Sequence, residues 1–172
     1  LISSFKKVAV DQSSAELRVF NVKELLEEVI LTLTAKLNKA HVTLTLDCPE
    51  DIVIESKPGP IHQILINLIL NSILHGFESR SSGEINISVV YLSEQLHITF
   101  QDNGIGINEN IKEKVFEPFT TTKRGSGGSG LGLHLVYNLM TQALNGHIDF
   151  TSNLGTGTTF ELTFPVSPAS AL

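Results

Sequence analysis

The chain has 172 residues, an ordinary globular composition and a formal net charge of -6, so it has room for one domain with a real core. The acidic balance argues against a general nucleic-acid surface, because phosphate contacts need clustered Lys and Arg; a phosphorylated ligand must be met by local groups. The single cysteine, Cys48, rules out a disulfide framework and a cysteine metal site and fits a reducing, cytoplasmic setting. No run of about 18 apolar residues is long enough to span a membrane.

The first ten residues look like the last turns of a helix, with Leu1, Ile2, Phe5, Val8 and Ala9 at helical spacing. The chain starts at Leu1 rather than Met and reads as a fragment of something longer. A polar break at 11–15 follows, then a short edge strand at 18–20. Asn21 caps the next helix. Glu24 completes a capping box, Phe20 and Leu25 form a hydrophobic staple, and the apolar set Val22, Leu25, Leu26, Val29, Ile30, Leu33 and Leu37 makes one buried face. Residues 42–46 and 52–55 read as strands. A second helix starts at Gly59 and Pro60 and ends at Gly76. The alternating segments 85–91 and 96–102 form a hairpin, and 108–116 is a short helix. Residues 117–129 have weak periodicity and many Gly, Thr and Ser, the composition of a loop. A helix over 131–144 turns Leu135, Val136, Leu139 and Ala143 inward, and Gly146 stops it. A final hairpin pairs 147–151 with 158–164, and 167–172 is a frayed tail. Helices flanking a mixed, mostly antiparallel sheet make an α+β protein, a two-layer α/β sandwich.

The most informative stretch is Asp102-Asn103-Gly104-Ile105-Gly106. Leu96, Ile98 and Phe100 share one face of their strand, and Asp102 falls on that face. A carboxylate pointing into a core is costly unless it is paired or hydrogen-bonded. The glycines after it allow a tight turn and a close ligand approach. Together they describe an acid that receives a ligand's N–H beside a loop that closes over the remainder.

The second helix is apolar almost all round, but Gln63, Asn67 and Asn71 interrupt it at four-residue spacing. These amides are either bonded to nearby backbone or line a wet cleft, where their oxygens suit Mg²⁺ shared with phosphate oxygens. His75 lies one turn beyond Asn71, near that cleft. The cluster Gly125-Ser126-Gly127-Gly128-Ser129-Gly130-Leu131-Gly132 contains a formal G-x-G-x-x-G, but no apolar strand precedes it, so a dinucleotide fold is rejected. A G-x-x-x-x-G-K-[ST] P-loop is absent. What remains is a loop feeding a helix start near Gly130, with free N–H groups that suit an anion. Lys123 and Arg124 add charge there, or are solvated loop residues. Thr158 shares parity with Phe160, Leu162 and Phe164; it is a core threonine or a ligand contact. Gly155 and Gly157 make the hairpin turn. The six histidines show no metal-ligand spacing, and G-x-S-x-G is missing.

These blocks together resemble the catalytic, ATP-binding domain of two-component sensor histidine kinases, in the GHKL ATPase superfamily. The N box is similar to Asn67 through His75, the G1 box to Asp102 through Gly106, the F box to Phe116-Glu117-Pro118-Phe119, the G2 box to Gly128 through Leu133, and the last block to Gly155-Thr156-Gly157-Thr158. The resemblance covers about 20–165. It implies a Bergerat-type fold with ATP or ADP between the helices and a lid. Asp102 would accept the adenine amino group, and Gly104, Gly106 and Thr158 would help hold the base. Asn67 and Asn71 would bind Mg²⁺ and phosphate, with His75 at the cleft. Lys123, Arg124, Gly128, Ser129, Gly130, Leu131 and Gly132 would close on the triphosphate, anchored by Phe116 and Phe119. The implied acceptor is a histidine on a separate dimeric helical domain, with a response regulator or receiver domain downstream. On this reading 1–15 ends the phosphoacceptor helix and linker, 16–166 is the catalytic domain and 167–172 the tail. Any dimer would form through helices upstream.

Three rivals stay open at this point. They are an anti-sigma-type serine kinase, an ATP-driven conformational clamp like the mismatch-repair and heat-shock relatives, and a nucleotide-binding module without activity. The Phe-Glu-Pro-Phe block and the long lid favour the histidine kinase.

Overall fold

A computed structural model describes residues 16–118 and 132–169. Two sheets organise it. The larger has five strands in the order β2-β4-β5-β7-β6, formed by β2 (Val42–Asp47), β4 (Gly83–Leu92), β5 (Gln95–Asp102), β6 (His147–Asn153) and β7 (Gly157–Pro165). The smaller sheet orders β1 (Arg18–Asn21), β3 (Val53–Ser56) and β8 (Ser167–Pro168) as β1-β3-β8. Among the described residues every pairing is antiparallel except β2 with β4, which run parallel. A parallel pair needs a long crossover. Here that crossover carries β3 and the helix α3 (Pro58–Asn71).

Period-two alternation places Ile85, Ile87, Val89, Leu96, Ile98, Phe100, Phe160, Leu162 and Phe164 on one buried face. Phe100 and Phe160 sit at its centre, ring centroids 6.4 Å apart. The helices α1 (Val22–Thr32), α3 and α5 (Gly132–Asn138) supply Val22, Leu26, Leu65, Leu68 and Val136 to the same core. Truncating one of these fully buried side chains to Ala costs about 2–5 kcal/mol. The opposite face of the sheet is polar, with Thr43, Thr45, Gln101 and Glu161 exposed. This is the two-layer α/β sandwich expected from the pattern.

The Asn21 cap is present: its side chain accepts the Glu24 N–H at 3.0 Å. Several local expectations are corrected. The helix expected to run through Leu37 breaks at Leu33, and α2 (Thr34–Lys39) follows. Thr32 and Thr34 donate their hydroxyls to the carbonyls of Glu28 and Ile30, a back-bonding that competes with the regular ladder. The short helix α4 is confined to Glu109–Lys112. The stretch expected as one helix to 144 changes at Leu139 into a π-turn (Leu139–Ala143); Met140 takes the buried position, and Leu135 is 39% exposed rather than inward. The expected tail is partly structured, since Ser167 and Pro168 pair with Glu55 and Ile54. The beginning of the chain and residues 119–131, including Phe119, lie outside the described residues.

Candidate functional site

The site is built where α3 meets the ends of β5 and β7. Beyond Asn71, α3 widens into a π-turn, Ser72–Gly76, closed by the Phe77 N–H donating to the Ser72 carbonyl at 2.9 Å. Such single wide turns concentrate at functional sites. The turn brings Ser72 and the Gly76 backbone against Asp102.

Asp102 is 4% exposed, on the inward face of β5, opposite Ile85 on one side and Thr158 on the other. Three donors hold its carboxylate. Ser72 donates its hydroxyl to Oδ2 at 2.7 Å. The backbone N–H groups of Gly104 and Thr158 donate to Oδ1 at 3.0 and 3.3 Å. These bonds explain how a carboxylate tolerates this depth.

Three chain segments stack around the acid. The N–H of Ile105 donates to the Gly76 carbonyl at 2.7 Å, and the N–H of Gly155 donates to the Ile105 carbonyl at 2.8 Å. Gly104 permits the first contact, because a Cβ there would overlap the Gly76 carbonyl. Gly106 has φ +81 and a Cβ on it would run into the Asn153 carbonyl, so both conformation and space demand glycine. Arg80 ties the assembly from outside, donating to the carbonyls of Asn103 at 2.8 Å and Gly155 at 3.3 Å.

Thr158 is buried and its hydroxyl lies 2.8 Å from that of Ser152, whose oxygen also accepts the Ile107 N–H at 2.7 Å. Ser152 therefore locks the loop after Gly106 onto β7. At the other end of the cleft lies the amide stripe of α3. Gln63 donates to the Asn67 oxygen at 3.0 Å, and Asn67 Nδ2 reaches the Gly132 carbonyl at 3.5 Å. Asn71 follows one turn later, and His75 sits in the π-turn; both are half-buried. Phe116 packs on Tyr137 and Phe150, centroids 5.4 and 5.6 Å away, which seats the start of the F box against α5 and β6.

The structure thus brings together Asp102, Gly104, Gly106 and Thr158 at one end, and Asn67 and Gly132 at the other, with Asn71 and His75 on the helix between. Lys123, Arg124, Gly128, Ser129, Gly130 and Leu131 lie outside the described residues. The sequence reading missed Ser72, Ser152 and Arg80. Ser72 was legible only as the residue after Asn71 and four before Gly76; nothing local signals a π-turn. Among the described residues no group of three or more His, Cys, Asp or Glu side chains forms a metal cluster. Any cation here would rely on amide oxygens, ligand oxygens and water, which is the manner of Mg²⁺. The Asn67 oxygen, oriented by Gln63, and Asn71 one turn away are a donor set of that kind.

A buried acid at the end of a strand, a glycine turn beside it and an amide-lined helix across the cleft define a nucleotide-binding ATPase fold. The chain belongs to the histidine kinase-, DNA gyrase B- and HSP90-like ATPase family, whose model matches residues 56–168. Within that family its fold is that of sensor histidine kinase catalytic domains. The nucleotide-free catalytic domain of histidine kinase ThkA is 29% identical with a TM-score of 0.76, over 89% of this chain and 99% of that one. ThkA in complex with the response regulator protein TrrA matches with a TM-score of 0.71 at 25% identity, over 97% of this chain and 46% of that one. By sequence, the sensor histidine kinase AtsR of Burkholderia thailandensis is 32% identical over 99% of this chain. Sporulation kinase A of Bacillus subtilis is 30% identical over 96% of it. The chain spans only 29% and 26% of the lengths of these two relatives. No helix among the described residues is long and apolar enough to cross a membrane.

Proposed function

We propose that the chain presents Mg-ATP for transfer of the γ-phosphoryl group to a histidine on a separate dimeric helical domain, from which a response regulator or receiver domain is served. The observation that carries this reading is the buried, backbone-held carboxylate of Asp102 facing a glycine loop, joined by α3 to the Asn stripe. Asp102 accepts the adenine amino group. Gly104 and Gly106 bring the loop backbone close to the base, and Thr158, fixed by Ser152, borders it. His75 lines the middle of the cleft. Asn67 and Asn71 hold Mg²⁺ and phosphate oxygens; the metal when bound supplies charge neutralisation, which together with positioning is most of what phosphoryl transfer requires. Lys123, Arg124 and the run from Gly128 to Gly132 cover the triphosphate. Residues 1–15 end the phosphoacceptor helix and linker, and 16–166 form the catalytic domain. The base that activates the accepting histidine belongs to the partner domain.

The test is Asp102→Asn in a calorimetric titration. Losing a hydrogen bond to a charged group costs about 1.5–3 kcal/mol, or roughly 10- to 100-fold in affinity. The loss is expected for ATP and ADP alike, since both carry adenine; unchanged affinity removes Asp102 from the site. The isolated chain is expected to acquire almost no acid-labile phosphate from labelled ATP until a dimeric acceptor domain is added. Label on serine of a supplied protein would instead favour the anti-sigma-type reading.

A further inference from the structure

We propose that Ser72 is a positioning residue that sets purine selectivity, by leaving Asp102 with one open acceptor and by withholding its own proton from the ligand. The proposal rests on the reading of Asp102 as the purine-recognising acid and deepens it.

An ionised carboxylate offers about four lone-pair sites. Among the described residues, Oδ1 is filled twice, by the Gly104 and Thr158 N–H groups. Oδ2 is filled once, by the Ser72 hydroxyl at 2.7 Å. One site on Oδ2 remains. The space next to it is kept clear by Gly76, where a Cβ would stand 3.1 Å from Oδ2. Ser72 is itself 0% exposed, so bulk water does not compete for its proton. A purine edge arriving over Gly76 therefore meets an acceptor beside a hydroxyl whose proton is already committed to that carboxylate.

This arrangement favours an exocyclic amino group, which donates to the open site. It rejects an oxo group, which would set one acceptor against another with no donor to relieve them. Removing the hydroxyl changes the second half of that logic. Ser72→Ala vacates the room of one oxygen beside a polar ligand cleft. A water there donates one proton to Oδ2 and has another for an oxo group. The mutation should therefore leave amino-purine binding nearly unchanged and improve oxo-purine binding.

Calorimetric titration of the wild-type chain, Ser72→Ala and Ser72→Cys with ATP and with inosine triphosphate tests this. Ser72→Ala is expected to leave ATP affinity within about threefold, because Oδ2 keeps its open site, while inosine triphosphate binding improves by up to roughly tenfold, the gain of one hydrogen bond from the new water. The ratio of the two affinities thus narrows about tenfold. Ser72→Cys, with its weaker donor, should fall between, and it carries the test if circular dichroism shows Ser72→Ala unfolded. A ratio of the two affinities that Ser72→Ala leaves unchanged, or widens, overturns the proposal. Asp102→Asn run in parallel separates the two levels. If that variant binds ATP normally, the site reading fails. If it binds poorly while the Ser72 ratios stay constant, only the role of Ser72 fails.

Discussion

The two ends of the cleft are built to different standards. At the Asp102 end, a buried acid, three loop segments and two buried serines satisfy one another through short bonds before any ligand arrives. At the Asn end, half-buried amides meet through one 3.0 Å contact and one stretched 3.5 Å contact. The first is a preorganised recognition element, which pays little ordering entropy on binding. The second, on the function proposed above, is a donor set whose partners would include groups brought by the ligand. On the function proposed above, the difference means that base selectivity lies in the fold itself, whereas the phosphate grip would be completed by groups the ligand brings.

The largest way to break this contrast is Gly104→Ala. Its Cβ would overlap the Gly76 carbonyl, so the base end must open or the loop must lift. Overpacking of this kind costs about 1–3 kcal/mol of stability. Nucleotide binding should fall below detection by calorimetry, with the melting temperature lowered. Next comes Asn71→Ala, which attacks the other end. ATP affinity is expected to drop roughly tenfold with Mg²⁺ and much less in its absence. An equal loss in both conditions contradicts its role. Arg80→Ala loosens the base end from outside without touching its interior. Because the guanidinium is exposed, only about a threefold rise in Kd for ATP and ADP is expected, and Arg80→Lys should restore part of it, since a single ammonium replaces only part of the fork.

The smallest effect is a pH slope. His62, beside Gln63 on α3, is 3% exposed, and among the described residues neither ring nitrogen has a hydrogen-bond partner. Burial lowers its pKa from 6.5. The unfolded chain therefore binds the proton more readily than the folded one. Stability rises with pH through the window below 6.5 and is lost as pH falls through that window. His62→Leu should flatten this contribution in urea titrations between about pH 5 and 7. A slope unchanged by the mutation assigns the acid sensitivity elsewhere.

Asp102 was legible because strand alternation fixes which way a side chain points, and an acid on an apolar face demands an explanation. Asn67 and Asn71 were legible because four-residue spacing is a helical neighbour relation. What stayed hidden depends on backbone departures from those periods. The π-turn that begins at Ser72 has no local signal, which is why Ser72 went unnoticed; the one at Leu139 shifts the positions after it, whereas Leu135, before it, points outward because Val136 takes the buried place. The break at Leu33 arises from threonine hydroxyls competing locally, and nothing in the apolar pattern marks it, since Leu33 and Leu37 are both buried. Arg80 carries no local signal in the sequence. Its role depends on two carbonyls, at Asn103 and Gly155, that only the tertiary fold brings within reach. Ser167 and Pro168 lack any strand signature of their own and pair because β3 offers an edge.

The parallel pairing of β2 with β4 has a kinetic consequence. These strands can join only after the intervening segment has looped over and returned, and that segment contains Gln63, Asn67, Asn71, Ser72 and Gly76. Zipping of the sheet margin and placement of that amide-bearing helix are therefore expected to be coupled on the folding pathway. A refolding chain should gain nucleotide affinity in the same kinetic phase in which that margin acquires amide-exchange protection.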